Sequence, residues 1–274
     1  SRSAIGVATS PTLDPSAPNY GWTDLGMVVS SSQNNHINAI DPALFQDTDG
    51  RVYMTYGSFF GGIGVIEIDP LTGKVKTGSV LVKIAGGNGA DWEAPYIIKE
   101  GSYYYLFVNR GACCQGINST YSIVMGRSTS IVGPFLSQTG VNMNSGNGTT
   151  VLATSGKYIG PGHVGLLREN GSNFLSIHYY DGDDNGNAKL DILNLGFYLD
   201  WPFITRDWIG TGQYKIINKN SNMVWDSWGC TGAQYEPIAQ GTWYNLACQK
   251  WDMTPVGNGV YKIINSLSGR SADV

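Results

Sequence analysis

The sequence predicts an all-β protein in which most of the chain forms repeated sheets, arranged as the blades of a propeller. The composition is one reason: of 274 residues, 37 are Gly, 12 per cent are aromatic and only 14 per cent are charged, which suits strands joined by uncharged turns. Segments with helical periodicity are almost absent. In addition, a unit of strand, glycine turn and strand occurs three times, as expected of propeller blades.

Each unit places a polar residue ahead of an apolar strand, and a glycine turn leads into the next strand. The central unit reads Asp91-Trp92-Glu93-Ala94-Pro95-Tyr96-Ile97, followed by the apolar run at residues 103–108. The other two begin near residues 38 and 160. Their turns are the short type that hairpins favour, because glycine tolerates positive φ. The turns are Asp49-Gly50, Glu100-Gly101 and Asn170-Gly171.

The polar residues of the three units are Asp41, Glu93 and His163. Blades radiate from one axis, so equivalent positions are expected to face one central funnel, where two acids and a histidine would form a hydrolytic site. Each residue also has a structural interpretation: Asp41 as a turn cap before a proline, Glu93 as an acid at a blade edge, His163 as a core histidine. The shared repeat position favours the functional interpretation.

The chain order suggests three near-complete blades and part of another. The strand and loop at residues 5–22 resemble the closing half of the central unit, so the chain is expected to begin inside a blade, giving about three and a half blades over residues 1–206. A second repeat follows, in which Tyr214-Lys215-Ile216-Ile217-Asn218 returns at residues 261–265, with Gln249-Lys250-Trp251 between them. We therefore predict a second domain at residues 207–274.

Charge and cysteine content restrict the remaining possibilities. The formal net charge is −4 and no basic run exists, so nucleic acid is not expected as a partner. No apolar stretch is long enough for a membrane-spanning helix, and we expect a monomer. Cys230 and Cys248 are expected to form a disulfide in an oxidising compartment. The adjacent Cys113 and Cys114 are either two free thiols or a vicinal disulfide.

Residues 4–203 resemble the endo-1,5-α-L-arabinanases of glycoside hydrolase family 43. The resemblance implies a five-bladed propeller, a secreted protein and inverting hydrolysis of α-1,5-linked arabinan, and it raises the expectation of a Cys113–Cys114 disulfide. The segments that carry it are residues 5–22, Asn38-Ala39-Ile40-Asp41-Pro42, Tyr56-Gly57-Ser58-Phe59, Glu93-Ala94-Pro95-Tyr96-Ile97, Cys113-Cys114-Gln115-Gly116, Ser119-Thr120-Tyr121, Gly126-Arg127-Ser128 and Ile159-Gly160-Pro161-Gly162-His163.

The resemblance also implies roles for individual residues. Glu93 corresponds to the general acid, and Asp41 to a second acid that orients it and favours its protonated form. His163 corresponds to a funnel histidine near which a metal ion, often calcium, is held largely through water. Ser58 and Trp92 lie beside the carboxylates and are expected to contact sugar.

The family's general base, an Asp before Pro at a strand head, has no counterpart in this chain. Asp14-Pro15 looks similar, but it falls in the loop that follows Ser10. Inverting hydrolysis needs both an acid and a base, so the chain by itself is expected to be inactive or much weakened. The alternative is a fragment that binds plant polysaccharide without cleaving it.

Residues 207–274 resemble the beginning of a ricin-type β-trefoil carbohydrate-binding module. The signals are the repeated Tyr-Lys-Ile-Ile-Asn and the Gln249-Lys250-Trp251 segment. Asp226, Trp243 and Asn245 are candidates for a shallow sugar site, in which a carboxylate binds hydroxyls and an aromatic face stacks on the ring. Core packing is the expectation for Trp251 and for most of Trp225, Trp228 and Trp243.

Overall fold

The computed structural model describes residues 3–32, 36–87, 89–206, 209, 211–257 and 260–272. Regular structure in these ranges consists of twenty strands and three single-turn 3₁₀ helices, at Gly116–Asn118, Met143–Ser145 and Ala247–Gln249. The predicted all-β fold class is therefore confirmed. Within the same ranges, none of the helices has the length and apolarity needed to cross a bilayer.

The chain divides into two compact units, which are described in turn. The first comprises Ser1–Leu167 and Leu175–Ile192, and the second comprises Arg168–Phe174 and Leu193–Val274. The predicted boundary between residues 206 and 207 borders on Asp207, which lies outside the described residues. That boundary stays a prediction.

Fifteen strands form four sheets, taken in order along the chain. They are β1 (Ser3–Thr9), β2 (Thr23–Ser31), β3 (Ala43–Gln46), β4 (Val52–Tyr56), β5 (Ile63–Asp69), β6 (Lys74–Val75), β7 (Val82–Ala85), β8 (Glu93–Glu100), β9 (Tyr103–Arg110), β10 (Ser122–Ser128), β11 (Thr149–Leu152), β12 (Tyr158–Glu169), β13 (Ser172–Asp181), β14 (Asn187–Tyr198) and β15 (Trp201–Thr205). The sheet orders are β1-β2, β3-β4-β5-β6 with β7 also on β5, β11-β10-β9-β8, and β12-β13-β14-β15. Consecutive strands that pair in order are what propeller blades require.

The predicted glycine turns close the hairpins that carry the candidate residues. Gly50, between β3 and β4, has φ +85°, and Gly101, between β8 and β9, has φ +55°. Asn170 and Gly171, between β12 and β13, have φ +50° and +77°. All four lie in the left-handed region that tight turns need. These turns fix the register of each hairpin and thereby the level at which its first residue lies.

The core of the first unit is continuous between the second and third sheets. β9 is buried along most of its length, and Leu106, Phe107 and Val108 have no exposed surface. Burial of such side chains stabilises by about 1.5–3 kcal/mol each. One apolar cluster contains residues from both sheets, among them Tyr53, Ile63, Val65, Ile84, Trp92, Leu106, Val124 and Phe135. The sheet that follows Asp41 and the sheet that begins with Glu93 are thus packed together.

The second unit contains five further strands in two small sheets. They are β16 (Gly212–Tyr214), β17 (Val224–Ser227), β18 (Ile238–Gly241), β19 (Trp251–Gly257) and β20 (Val260–Asn265). The orders are β16-β19-β20 and β17-β18. Cys230 is bonded to Cys248. The second copy of the Tyr-Lys-Ile-Ile-Asn segment, at residues 261–265, lies in β20.

Tryptophan packing in the second unit differs partly from the expectation. Trp251 is 1% exposed and meets Trp225 edge to face, with ring centroids 5.7 Å apart. Trp225 and Trp243 are half-buried, and Trp228 is 61% exposed. Full burial therefore holds for Trp251 alone among these four. Its position at the start of β19 places its ring beneath β17, whereas Trp228 lies in the turn beyond β17.

Candidate functional site

Glu93, the candidate acid, is the first residue of β8, and a hydroxyl contacts each of its carboxyl oxygens. Ser58 Oγ donates to Oε2 at 2.9 Å, and the Tyr121 hydroxyl donates to Oε1. Ser58 also forms an isolated β-bridge with Glu93. The neighbouring Phe59 N–H donates to the Trp92 carbonyl at 2.8 Å. These bonds hold the segment that follows β4 against the beginning of β8. They also fix the carboxyl group of Glu93 between two hydroxyls.

Asp41 lies just ahead of β3 and is coupled to Glu93 in two ways. Its Oδ2 accepts a hydrogen bond from the Ala94 N–H at 3.1 Å. Burial raises the pKa of the Asp41 carboxyl; the Ala94 hydrogen bond opposes this, the charge of Glu93 raises the pKa further, and His163 lowers it. The two acids therefore share one electrostatic environment. The shift falls on Asp41, and the predicted influence of Asp41 on the protonation of Glu93 stays a prediction.

The backbone shows how the three repeat units correspond. Asp41, Ala94 and His163 have φ +55°, +51° and +58°, the same left-handed conformation just ahead of β3, at the second residue of β8 and within β12. By backbone conformation, Asp41 and His163 therefore correspond to Ala94. Glu93 lies one residue before the position that the sequence repeat predicts. The pairing of β8 with β9 is interrupted at the same place, between Glu93 and Tyr96. Such conformations cost on the order of 1–3 kcal/mol for residues other than glycine and cluster at functional sites.

His163 contributes an exposed side chain from β12, and its backbone is held by a buried amide. The His163 N–H donates to Asn109 Oδ1 at 2.9 Å, and Asn109 is 1% exposed. His178, on β13, is half-buried, and its pKa is lowered by burial and by the nearby His163. Asp41, Glu93 and the two histidines are thus linked by contacts and by electrostatic interactions within the first unit.

The resemblance implies a calcium ion near His163, held largely through water. In the described part of the chain, no group of three or more His, Cys, Asp or Glu side chains is placed to hold a metal ion. Calcium prefers six to eight oxygen ligands, whereas His163 offers one imidazole nitrogen. A water-held ion needs few direct protein ligands, so the expected metal ion near His163 stays a prediction.

Of the two sugar contacts expected beside the acids, that of Ser58 stays a prediction and that of Trp92 is wrong. Ser58 is 5% exposed, and its hydroxyl contacts Glu93 as described above. Trp92 is 1% exposed and belongs to the apolar core. A buried ring cannot stack on a sugar, so the expected sugar contact of Trp92 is corrected to a packing role beneath Glu93.

The sequence argues against Asp14 as the general base, and the hydrogen bonds of Asp14 support the same conclusion. It lies in the exposed loop between β1 and β2, where its Oδ1 accepts hydrogen bonds from the Ser16 N–H and hydroxyl at 2.8 and 2.7 Å. The Ser16 hydrogen bonds lower the pKa of Asp14. This carboxylate is a turn cap, and we assign no general base among the described residues.

Cys113 and Cys114 are joined by a disulfide, the second of the two alternatives that the sequence left open. The bonded pair lies in the loop between β9 and β10, and Cys114 has φ +66°. The Cys114 N–H donates to the Tyr180 hydroxyl at 2.8 Å. Tyr180 lies on β13, two residues beyond His178, so this loop is connected to the neighbourhood of the candidate acid.

The candidate sugar residues of the second unit are only partly available. Asp226 Oδ2 accepts a hydrogen bond from the Gln249 amide at 2.9 Å, and Gln249 is fully buried. The Lys215 ammonium lies 5.4 Å from the centre of the Trp243 ring. Asn245 is exposed and has φ +60°. A sugar site formed by Asp226, Trp243 and Asn245 stays a prediction.

Sequence reasoning assigned no role to two residues that contact the site, Tyr121 and Asn109. Tyr121 is 4% exposed and donates to Glu93, and Asn109 supports His163. Tyr121 does belong to the Ser119-Thr120-Tyr121 segment that carries the family resemblance, which was a usable signal. Asn109 is the penultimate residue of an apolar strand, and nothing in the sequence separates it from ordinary strand ends.

Two curated proteins named as an arabinofuranosidase and an arabinanase are similar to this chain. An exo-α-(1→5)-L-arabinofuranosidase of Cellvibrio japonicus is 40% identical over 213 residues, with 73% of this chain and 61% of the relative covered. An endo-α-(1→5)-L-arabinanase of Bacillus subtilis is 43% identical over 202 residues, with 73% and 60% covered. This chain thus spans about 60 per cent of the length of these curated relatives. Both relatives are named as extracellular.

Solved structures show the same fold. The structure of a Cellvibrio cellulosa α-L-arabinanase complexed with arabinohexaose matches with a TM-score of 0.69 and 36% identity, covering 73% of this chain and 68% of that one. Residues 199–274 match the ricin-type beta-trefoil lectin domain-like family. Residues 1–193 match glycosyl hydrolases family 43. The chain, over most of its length, therefore belongs to glycosyl hydrolases family 43.

Proposed function

We propose that this protein is a secreted glycoside hydrolase that cleaves α-1,5-linked L-arabinan with inversion, and that Glu93 is its general acid. The observation that carries the proposal is the pair of neighbouring acids. Glu93 lies between two hydroxyls, and its charge raises the pKa of Asp41. The names of the related arabinanases support arabinan or arabino-oligosaccharide as the substrate. Their extracellular location supports secretion.

In the proposed reaction, Glu93 protonates the oxygen that leaves as the glycosidic C–O bond breaks. A water molecule attacks the anomeric carbon from the opposite face, and a separate carboxylate base accepts its proton, so the configuration inverts. Two nearby carboxyl groups resist being ionised together. Asp41 therefore favours a neutral Glu93 and, through the Ala94 N–H, fixes the strand that carries it.

The remaining site residues have supporting roles in this proposal. Ser58 orients Glu93 Oε2, and the exposed His163, whose charge acts on Asp41, contacts the substrate or water. In the second unit, Asp226, Trp243 and Asn245 form a shallow site for a sugar of the polysaccharide. The protein acts as a monomer on a carbohydrate and needs neither nucleic acid nor a membrane.

The proposal is tested by Glu93→Gln in the full-length protein, with Glu100→Gln at the other end of β8 as the matched control. Release of reducing ends from debranched arabinan is expected to fall about 10²–10⁴-fold for Glu93→Gln, the usual contribution of acid–base catalysis. The Glu100→Gln protein is expected to keep its activity. Chromatography of the products distinguishes internal cleavage from release at chain ends, and polarimetry reports inversion. Equal activity in the wild-type protein and Glu93→Gln would end the proposal.

A second candidate function is binding of plant polysaccharide without turnover. It is favoured by one observation, that no described residue is assigned as the general base. Calorimetry with arabino-oligosaccharides, combined with the reducing-end assay, separates the two functions. Heat of binding without product in the wild-type protein would support the binding module, whereas product formation that depends on Glu93 would exclude it.

A further inference from the structure

A buried tyrosine that the proposed mechanism leaves unused touches the candidate acid directly. Tyr121 is 4% exposed, and its hydroxyl donates to Glu93 Oε1. Burial raises the pKa of Tyr121, and so do the hydrogen bond to Glu93 and the charges of Glu93 and Asp41. The phenol therefore remains a neutral donor across the working range of an enzyme. A neutral donor can hold a carboxyl group in place without exchanging a proton with it.

Each oxygen of Glu93 accepts one hydrogen bond, Oε1 from Tyr121 and Oε2 from Ser58. A protonated carboxyl group has one oxygen that only accepts and one that carries the proton. A phenol is a stronger hydrogen-bond donor than an alcohol, so Tyr121 continues to donate to Oε1 when Glu93 is protonated, and the proton goes to Oε2, 2.9 Å from Ser58 Oγ. The Ser58 hydroxyl can accept that proton's hydrogen bond until a glycosidic oxygen replaces it. Tyr121 thus determines which oxygen of Glu93 faces the leaving group.

The ring of Tyr121 is itself held on two sides. It stacks on the His178 ring, with centroids 5.8 Å apart and planes 27° apart, and His178 meets Tyr180 edge on at 6.0 Å. The Tyr180 hydroxyl in turn accepts a hydrogen bond from the Cys114 N–H of the disulfide loop. On the other side, a methyl group added at Gly162 would lie 2.4 Å from the Tyr121 ring. Only glycine at that position leaves room for the ring.

From these contacts we propose that Tyr121 is a positioning residue for the general acid, acting through Glu93 Oε1 and supported by the stack of His178 and Tyr180. The inference rests on the proposed function, in which Glu93 protonates the leaving oxygen. It predicts an effect that depends on the leaving group. Removal of the Tyr121 hydroxyl should slow cleavage when the leaving group needs a proton and matter little when it does not.

The test compares two substrates for Tyr121→Phe in the full-length protein. One is an arabino-oligosaccharide, and the other is an aryl arabino-oligosaccharide whose nitrophenol departs without protonation. Tyr121→Phe is expected to lower kcat about 10–100-fold on the first substrate, a part of the range for acid–base catalysis, and less than about threefold on the second, with KM unchanged. The control is Tyr53→Phe, which removes a hydroxyl at the other end of β4 from Ser58.

A double-mutant cycle with Glu93→Gln separates positioning from general damage. If Tyr121 acts through Glu93, Tyr121→Phe has no further effect on the first substrate once Glu93 is Gln. Should Tyr121→Phe not fold, His178→Ala serves instead: it keeps the Tyr121 hydroxyl but removes the ring on which Tyr121 stacks, and it should show the same dependence on the leaving group. Equal losses on both substrates, or additive losses in the cycle, would overturn the inference.

The outcomes also distinguish this inference from the proposed function. A wild-type protein that cleaves neither substrate refutes the proposed function and the inference together. A wild-type protein that cleaves both substrates, with an unaffected Tyr121→Phe variant, refutes the inference alone. Selective loss on the oligosaccharide supports both.

Discussion

Asp47 is the residue whose electrostatic contribution can be worked out most directly from this structure. It lies in the turn between β3 and β4, is 8% exposed, and accepts hydrogen bonds from Lys99 Nζ at 2.6 Å and from the Tyr104 hydroxyl. Lys99 and Tyr104 belong to β8 and β9, so this cluster joins the sheet that follows Asp41 to the sheet that begins with Glu93. We predict that Asp47→Asn destabilises the first unit at neutral pH.

The magnitude follows from the pKa. Burial alone would raise the pKa of Asp47, but hydrogen bonds from Lys99, Tyr104 and the Thr48 N–H outweigh burial and lower it from 3.8 to about 2. At about 1.4 kcal/mol per pKa unit, the charged form contributes about 2 kcal/mol. Because the folded pKa lies below the unfolded one, this stability is fully present above about pH 4 and is lost as the pH falls towards 2.

Thermal unfolding of the wild-type protein and the variant measures the effect. At neutral pH, Asp47→Asn is expected to lower the Tm of the first unit by roughly 4–8 °C, and the difference should vanish near about pH 2. The matched control is Asp49→Asn in the same turn. Asp49 pairs with Arg51 at 2.7 Å, but both side chains are about half exposed, at 47% and 53%, so its loss should cost clearly less than the loss of Asp47.

Two outcomes would refute this reasoning. The first is an equal loss of stability in the Asp47→Asn and Asp49→Asn variants, which would mean that burial of the pair does not matter. The second is an Asp47→Asn deficit that persists unchanged at low pH, which would assign the loss to packing and not to the charge.

Three further predictions concern other parts of the molecule. Asp41→Asn should lower arabinan cleavage yet stabilise the protein at neutral pH, because burial raises the pKa of Asp41 and disfavours its ionised form. This gain in stability should disappear below about pH 4. A loss of stability at neutral pH would contradict the prediction. Trp251→Ala should destabilise the second unit by about 3–5 kcal/mol, measured by denaturant unfolding, whereas Trp228→Ala, at an exposed position, should change it little. Replacement of Cys230 and Cys248 by Ser opens a loop with a sequence separation of 18 and should cost about 3 kcal/mol. The same replacement at Cys113 and Cys114, whose separation is 1, opens no such loop and should cost far less.

The sequence by itself determined the strands, the turns and the choice of candidate acids. Apolar runs such as residues 103–108 and the turns at Gly50 and Gly101 are local signals, because burial and positive φ restrict residue type at each position. The repeated units identified Asp41, Glu93 and His163 without any knowledge of contacts. The sequence likewise predicted the disulfide of Cys230 and Cys248, as a pair of cysteines in an oxidising compartment.

Only the tertiary structure decided which side chains meet at the site. Strand pairing between sheets brings Ser58 and Tyr121 to the two oxygens of Glu93, and no spacing in the chain encodes that convergence. The backbone conformation places Glu93 one residue before the repeat position, and core packing buries Trp92. Sequence periodicity reports which face of a strand is apolar, whereas contacts between sheets depend on how the hairpins pack, which is a property of the whole fold.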